Sequence, residues 1–142
     1  MASESPPPHG DDEGSVLLLT LGYVLLALAV LFVCVCATDL YIAQKRLDSL
    51  ADSAALAGAD GFTLEVSGEN VRAELTDEGV REQAEALMSA LPGDATLVAA
   101  SSPDGVSAQV TVTALWHPPL VSPFVPDGIP LQATATSRTA LE

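Results

Sequence analysis

The pattern of apolar positions sets one long segment apart from the rest of the chain. Residues 15–38 carry no charged side chain and consist mainly of Leu, Val and Ala. At ~1.5 Å of rise per residue, a helix of this length crosses the ~30 Å hydrocarbon core of a bilayer. The pattern therefore predicts a transmembrane helix over residues 15–38.

A buried core helix, a signal peptide and a lipoprotein anchor fit this apolar run less well. A buried core helix would need a large domain around it, and the rest of the chain is too short to form one. A cleaved signal peptide begins with a basic segment, whereas the residues before this run include Glu4, Asp12 and Glu13. A lipoprotein anchor needs a Leu-x-Gly/Ala-Cys motif, which precedes neither Cys34 nor Cys36.

The segments on either side of the apolar run differ from each other. Residues 1–14 combine a proline run with glycine and acidic residues, a composition that predicts a disordered tail. After the run, small and apolar residues recur every three or four positions, which predicts that the helix continues as an amphipathic stalk over residues 39–60. The stripe comprises Leu40, Ala43, Leu47, Leu50, Ala51, Ala54 and Gly58. Its small side chains favour packing against the chain's own domain over packing against a partner helix.

The pattern of residues 61–142 predicts one small α+β domain, which the resemblance described below implies to be extracytoplasmic. A helix is expected after Thr76, a capping residue, with Asp77 and Glu78 in its first turn and Pro92 at its end. Its expected apolar face comprises Val80, Ala84, Leu87, Met88 and Leu91.

Alternating residues predict an antiparallel sheet beside that helix. The expected strands cover residues 62–66, 95–101, 106–116 and 129–138, and residues 67–75 are ambiguous. The inward positions of the third strand are Val106, Ala108, Val110, Val112, Ala114 and Trp116. The whole chain is thus expected to have a long N-terminal helix followed by a small domain of one helix on an antiparallel sheet, which the resemblance described below implies to be a pilin-like arrangement.

Charge and cysteine usage narrow the possible functions. With 5 Lys and Arg against 19 Asp and Glu, the net charge of −14 disfavours binding to nucleic acid or to an anionic lipid surface. Cys34 and Cys36 point to roughly opposite sides of a helix and cannot form a disulfide with each other. No cysteine lies outside the apolar run, so a thiolate metal site is not expected there.

A search for catalytic chemistry finds no convincing combination of residues. His117 stands beside two prolines and is expected to be a loop residue, and His9 is expected to be solvated. Five acidic residues lack the spacing of a calcium loop and predict a solvated helix face: Glu74, Asp77, Glu78, Glu82 and Glu85. We therefore expect no enzyme activity, no cofactor, no catalytic or metal site and no small-molecule substrate.

Two stretches around the apolar run resemble the N-terminal segment of TadE/TadG-like proteins of the tight-adherence (Tad/Flp) pilus assembly system. They are Asp-Glu-Gly-Ser at residues 12–15 and DLYIAQKRLDSLADSAALAGA at residues 39–59. The most specific part is Lys45-Arg46-Leu47 followed by repeated small residues. The ending Ala-Thr-Ala-Thr-Ser-Arg at residues 133–138 is similar to the last strand of such proteins.

The resemblance implies a bacterial structural or accessory protein, similar to a minor pilin, of a pilus or secretion machine. Its expected location is the cytoplasmic membrane, as a single-pass protein in contact with lipid and with other Tad membrane proteins. The von Willebrand-type domain of larger TadG-like proteins has no room here, so metal-dependent adhesion is not implied. The alternative is an anchored extracytoplasmic binding module unrelated to pili.

Orientation and processing are two further expectations. Lys45 and Arg46 favour a cytoplasmic position for the residues after the apolar run, but nearby aspartates offset them, and the resemblance places the domain outside. We expect the N-terminus inside and the C-terminus outside. Processed pilins carry a glutamate five residues after the cleavage glycine, and counting from Gly14 this position is Leu19. We therefore expect the protein to keep Met1 or Ala2 as its N-terminus and to stay in the membrane.

Overall fold

A computed structural model describes residues 2–5, 10–68 and 70–138. The described elements in chain order are helix α1 (Gly10–Ala59), strands β1 (Phe62–Ser67) and β2 (Asn70–Leu75), helix α2 (Asp77–Ala90), strands β3 (Thr96–Ser101) and β4 (Ser107–Trp116), a short 3-10 helix (Ser122–Phe124) and strand β5 (Ile129–Arg138). This confirms the predicted α+β class, a long N-terminal helix followed by a small domain with one helix and an antiparallel sheet. The chain forms two compact units, Met1–Thr38 and Asp39–Glu142.

The N-terminal unit contains the first part of α1. This helix begins at Gly10, so residues 10–14, which were expected to be disordered, are helical. Asp12 and Glu13 lie near the helix N-terminus, where carboxylates are stabilised by the partial positive charge of the backbone. Residues 2–5 have no regular secondary structure, and His9 lies outside the described residues.

The C-terminal unit begins with the rest of α1, and this part of the helix belongs to the core. Leu47, Ala51 and Ala54 are at most 4 % exposed. They form one cluster with Ala55 and Ala59 of the same helix, Val80 and Ala84 of α2, and Ala108, Val110 and Val112 of β4. The prediction that the small residues pack against the chain's own domain is confirmed. Most of the cluster is alanine, so the helix backbone lies close to the sheet.

The main sheet has the order β3-β4-β5, and both pairs are antiparallel. Val110 and Val112 are fully buried while Gln109 is exposed, which confirms the predicted alternation. Val106 was expected on the inward face, but it precedes β4 and is exposed. A register shift between Leu97 and Ala99 leaves Val98 exposed.

The ambiguous residues 67–75 contain the second strand of a separate hairpin. Strand β2 pairs with β1 in an antiparallel register in which Phe62 lies opposite Leu75 and Ser67 lies opposite Asn70. Gly68 has a φ of +69° in the turn, a conformation that glycine adopts readily. Asn, Arg and Glu have no strong strand preference, so pairing with β1 decides the structure of β2.

The boundaries of α2 follow the predicted signals. Thr76 is the N-cap, and its Oγ1 accepts a hydrogen bond of 3.1 Å from the Gly79 N–H. Val80 and Ala84 are buried, while Leu87 and Met88 are partly buried against the core. Leu91 was predicted on the apolar face but caps the C-terminus in an extended conformation and is exposed. Pro92 follows it, and the helix ends here because proline cannot continue a helix.

Candidate membrane anchor and interaction surfaces

The first part of α1 presents apolar side chains in every direction. Apolar residues between Val16 and Val35 are exposed, among them Leu17, Leu18, Tyr23 and Val33 at 63–70 %. Of the described residues, Asp12–Ala59 form the one helix that is long and apolar enough to cross a membrane, and none of its most apolar window is buried. A core helix of a soluble protein would bury this window, whereas this helix leaves it exposed. A signal sequence would share the length, composition and N-terminal position of this helix.

Two polar features of the apolar segment have local causes. Thr20 Oγ1 donates a hydrogen bond of 2.8 Å to the Val16 carbonyl oxygen. An internal partner of this kind lowers the cost of placing a hydroxyl in hydrocarbon. Cys34 and Cys36 are free.

The first turn of the C-terminal unit is tied to the sheet by two side chains. Trp116 Nε1, at the end of β4, donates a hydrogen bond of 2.7 Å to Asp39 Oδ2. Gln44 Nε2 donates to the Gln132 carbonyl oxygen of β5 at 3.1 Å and to Asp48 Oδ1 at 2.9 Å. These contacts fix the start of this part of α1 to one end of the sheet, and sequence reasoning had not predicted them.

The loop between β4 and β5, residues 117–128, is rich in proline as predicted, and we call it the proline loop. Trp116 pairs with Ile129, so both ends of the loop are held at the same end of the sheet. Leu120 and Phe124 are 77 % and 84 % exposed. His117, expected in the loop, is exposed, and a Cβ placed on Gly128 would lie 2.9 Å from its Nε2 atom.

An open groove lies between α1 and the C-terminal end of α2. Its volume is about 590 Å³. Apolar side chains dominate its lining, and Arg46 and Asp94 are the charged residues among them; the others include Ala43, Leu47, Leu50 and Leu91. Arg46 lies in the segment that the sequence singled out as most specific, but its place in a groove depends on the packing of α2 and could not be predicted.

The acidic residues of the predicted solvated face do not converge on a site. Glu78, Glu82 and Glu85 are exposed on α2. Asp77 accepts a hydrogen bond of 2.7 Å from the Ser102 N–H, which links α2 to the end of β3. Among the described residues, no group of three or more His, Cys, Asp or Glu side chains is placed to hold a metal ion.

A different acidic residue, Asp104, organises the turn before β4. Its Oδ1 accepts hydrogen bonds from the Val106 and Ser107 N–H groups at 3.0 and 2.6 Å, and its Oδ2 accepts one from Ser107 Oγ at 2.9 Å. The backbone hydrogen bond from Ser107, then that from Val106, and the Ser107 hydroxyl lower the pKa of Asp104. Donors aimed at a carboxylate favour its ionised form. The role of this residue is structural.

The described residues therefore form one N-terminal helix able to cross a membrane and one small α+β domain whose core includes the end of that helix. Residues 14–61 match the model of a protein family described as putative Flp pilus-assembly TadE/G-like. This match confirms the TadE/TadG-like resemblance predicted from the sequence. Proteins of this family are structural or accessory components rather than enzymes.

The match covers the apolar segment and the part of α1 that packs into the domain, and it ends before β1. A comparison with curated proteins found no match. A comparison with solved structures also found no match.

Proposed function

We propose that this chain is a membrane-anchored accessory component, similar to a minor pilin, of a Tad-type pilus or secretion machine. The observation that carries the proposal is the family match over residues 14–61. The same residues form an exposed apolar helix that continues into the domain core. The helix anchors the chain in the bacterial cytoplasmic membrane, and the domain presents its surfaces to the other membrane proteins of the machine.

Residues 15–38 lie in the hydrocarbon core in this proposal. Each Leu, Val or Phe near the centre of a membrane helix contributes roughly −0.5 kcal/mol to insertion, so the segment gains several kcal/mol. The hydroxyl of Thr20 opposes insertion little, because it already bonds to the Val16 carbonyl.

The domain lies outside the cytoplasm. The basic residues that would favour the opposite orientation are Lys45 and Arg46. Lys45 forms an ion pair with Asp48 at 3.5 Å, and its Nζ lies 5.8 Å from the centre of the Tyr41 ring. Partial compensation of this charge weakens its pull toward the cytoplasm. Alkaline phosphatase fused to the C-terminus should be active in cells, and a cytoplasmic reporter at the same position should be inactive. The reverse pattern would contradict this orientation.

A genetic experiment tests the role in pilus assembly. Deleting the gene in its host should reduce the surface pili recovered by shearing, and the full chain should restore them. A matched variant lacking the anchor, with residues 39–142 exported by a cleavable signal peptide, should fail to restore them although the domain is present. Unchanged piliation after deletion would overturn the proposal.

The N-terminus distinguishes an anchored protein from a polymerising pilin. Cleavage after Gly14 would place a charged amine at the membrane boundary, and Leu19 cannot offer the carboxylate that meets such an amine in lipid. Intact-mass analysis of the membrane-extracted protein should find the species that begins at Met1 or Ala2. A dominant species beginning at Ser15, recovered in sheared pili, would favour a polymerising pilin instead.

The groove of about 590 Å³ favours a second candidate, an anchored binding module that works independently of pili. The two candidates predict different effects of closing the groove. If the chain acts in the pilus machine, a groove-filling Ala43→Phe variant or the gene deletion should alter piliation. If the chain is an independent binding module, neither change should affect piliation.

A further inference from the structure

We infer that the proline loop inserts its exposed apolar side chains into the membrane interface. The inference rests on the proposed membrane anchor, since it needs residues 15–38 to lie in the bilayer. It adds a second lipid contact, made by Leu120 and Phe124, to the one made by the apolar helix.

The position of the loop follows from the direction of β4 along α1. A Cβ placed on Gly58 would lie 3.4 Å from Ala108 Cβ, near the start of β4. Trp116, at the end of β4, bonds to Asp39. The strand and residues 39–58 of the helix are both about 30 Å long and run in opposite directions. The chain beyond Trp116 therefore emerges at the end of the domain where Asp39 lies.

That end of the domain is next to the membrane boundary by covalent connection. Asp39 directly follows Thr38, the last residue of the apolar segment, and neighbouring Cα atoms are ~3.8 Å apart. The polar interface on each side of a bilayer is roughly 5–8 Å thick. Asp39 and the Trp116 indole bonded to it thus lie at the depth of the lipid headgroups. Tyr41, 63 % exposed in the same turns, is of a residue type enriched at this depth.

The described part of the domain covers little of the two large apolar side chains of the loop. Leu120 and Phe124 are among the most exposed large apolar residues of the described chain. Leu120 also has a φ of +68°, a left-handed conformation that costs a branched residue on the order of 1 kcal/mol or more. A strained backbone that directs a leucine into solvent is explained if lipid, rather than water, surrounds that side chain.

The charge of the loop also favours lipid. Within residues 117–128 the one Asp, Glu, Lys or Arg is Asp127. The rest of the chain is strongly acidic, so electrostatic attraction to anionic headgroups does not bind the domain to the lipid surface. Contact comes from apolar insertion, which depends on buried area and little on the sign of the headgroup charge. Zwitterionic phosphatidylcholine is therefore the appropriate probe.

Fluorescence quenching on the full chain in phosphatidylcholine vesicles tests the inference. An environment-sensitive dye is attached at Ser122→Cys in a Cys34→Ala, Cys36→Ala background, which leaves Leu120 and Phe124 in place. A nitroxide on the lipid, close to the headgroup, should quench this dye at least about twofold more than a dye at Pro103→Cys, because apolar insertion of ~5–10 Å brings the loop to the nitroxide. Pro103 is exposed in the turn at the opposite end of β4. Aqueous iodide should quench the dye at position 103 more than the dye at position 122.

Two substitutions separate loop insertion from general effects of charge. Phe124→Asp should reduce the lipid quenching at position 122 to the level at position 103. Leu56→Asp, which also replaces an exposed apolar residue but near the Gly58 end of the helix, should leave it unchanged. Both side chains are largely exposed, so both variants should keep the circular dichroism and Tm of the parent.

A dye on Cys34 in a Cys36→Ala variant, with Ser122 kept, distinguishes failure of the inference from failure of the anchor. If lipid nitroxide quenches the dye at Cys34 but not the dye at position 122, the membrane anchor stands and the inference is overturned. A protein partner would then be what covers the exposed side chains of the loop. If neither position is quenched by lipid, both the membrane anchor and the inference are overturned. Equal quenching of position 122 with and without Phe124→Asp would also overturn the inference.

Discussion

Gly61 and Gly79 bring the end of α1 and the start of α2 together where no side chain fits. A Cβ on Gly61 would lie 2.5 Å from the Gly79 carbonyl oxygen, and a Cβ on Gly79 would be in similar conflict with the Gly61 carbonyl oxygen. Alanine normally stabilises a helix relative to glycine. We predict the opposite for Gly79→Ala. It should lower the free energy of unfolding by roughly 1–3 kcal/mol, because the backbone at Gly61 or Gly79 must move to make room for the added methyl group.

Urea unfolding of the full chain in detergent, followed by circular dichroism, measures this effect. Gly14→Ala is the matched control, since a Cβ there meets nothing within 4 Å. A Gly79→Ala protein as stable as the parent would show that α1 and α2 separate more easily than this contact indicates.

Val110 is the residue at which a charge should be most damaging. It is fully buried in the central strand, whereas Met88 on α2 is only partly buried. Val110→Asp should unfold the domain at a cost of several kcal/mol, and Met88→Asp should cost less. Gln109→Asp is the control on the exposed face of the same strand. Thermal scans of the three variants test the order, and a cooperative Val110→Asp transition at the parental Tm would contradict the register of β4.

Asp104 should make stability depend on pH in acid. Its pKa in the folded protein is lowered from 3.8 by the hydrogen bonds of the turn. The stabilisation by the ionised group is therefore complete above that ordinary value and is lost as the pH falls through the lowered one. The Tm difference between the parent and Asp104→Asn should be constant near neutral pH and should shrink in acid. Asp52→Asn, at an exposed helix position, controls for the loss of one charge.

At the scale of elements, the start of α2 depends on one hydroxyl. Thr76 Oγ1 accepts from the Gly79 N–H, one of the donors that a helix start leaves without an intrahelical partner. Thr76→Ala should lower the free energy of unfolding by about 1 kcal/mol. Thr76→Ser keeps the hydroxyl and should therefore lower it by much less. Urea unfolding of both variants measures the difference. Equal losses in the two would assign the effect to the methyl group instead.

Elements whose signals are local could be predicted from the sequence. The cap at Thr76, the stop at Pro92 and the alternation from Ala108 to Val112 in β4 depend on neighbouring residues alone, and the structure places each of them as expected. The apolar helix was predictable for the same reason, because a long uncharged apolar run is a signal contained in one segment of the sequence.

Features that depend on distant parts of the chain could not be predicted. Strand β2 acquires its structure by pairing with β1, and the bulge in β3 reflects its register with β4. The Trp116 to Asp39 hydrogen bond joins residues 77 positions apart. The groove likewise exists only because α2 ends beside α1. No periodicity within one segment encodes such contacts.

At the scale of the whole molecule, the domain should fold without its anchor. The buried residues of the core cluster lie between Leu47 and Ala135, all within the C-terminal unit. A fragment of residues 39–142 should therefore be monodisperse and should unfold cooperatively on heating, with dispersed NMR amide signals. An aggregated fragment without a thermal transition would show that the preceding helix contributes to folding.

The abundance of alanine in the core limits how this domain can diverge over evolution. Among the residues that the structure describes, nine of the fourteen in the core cluster are alanine, so loss of any one methyl removes little. Enlarging a position is the harmful direction. A Cβ on Gly58 would already lie 2.9 Å from Val80 Cγ1. A lineage that gains a larger residue at position 58 therefore needs a smaller one at position 80, and the two positions should change together among descendants of this chain.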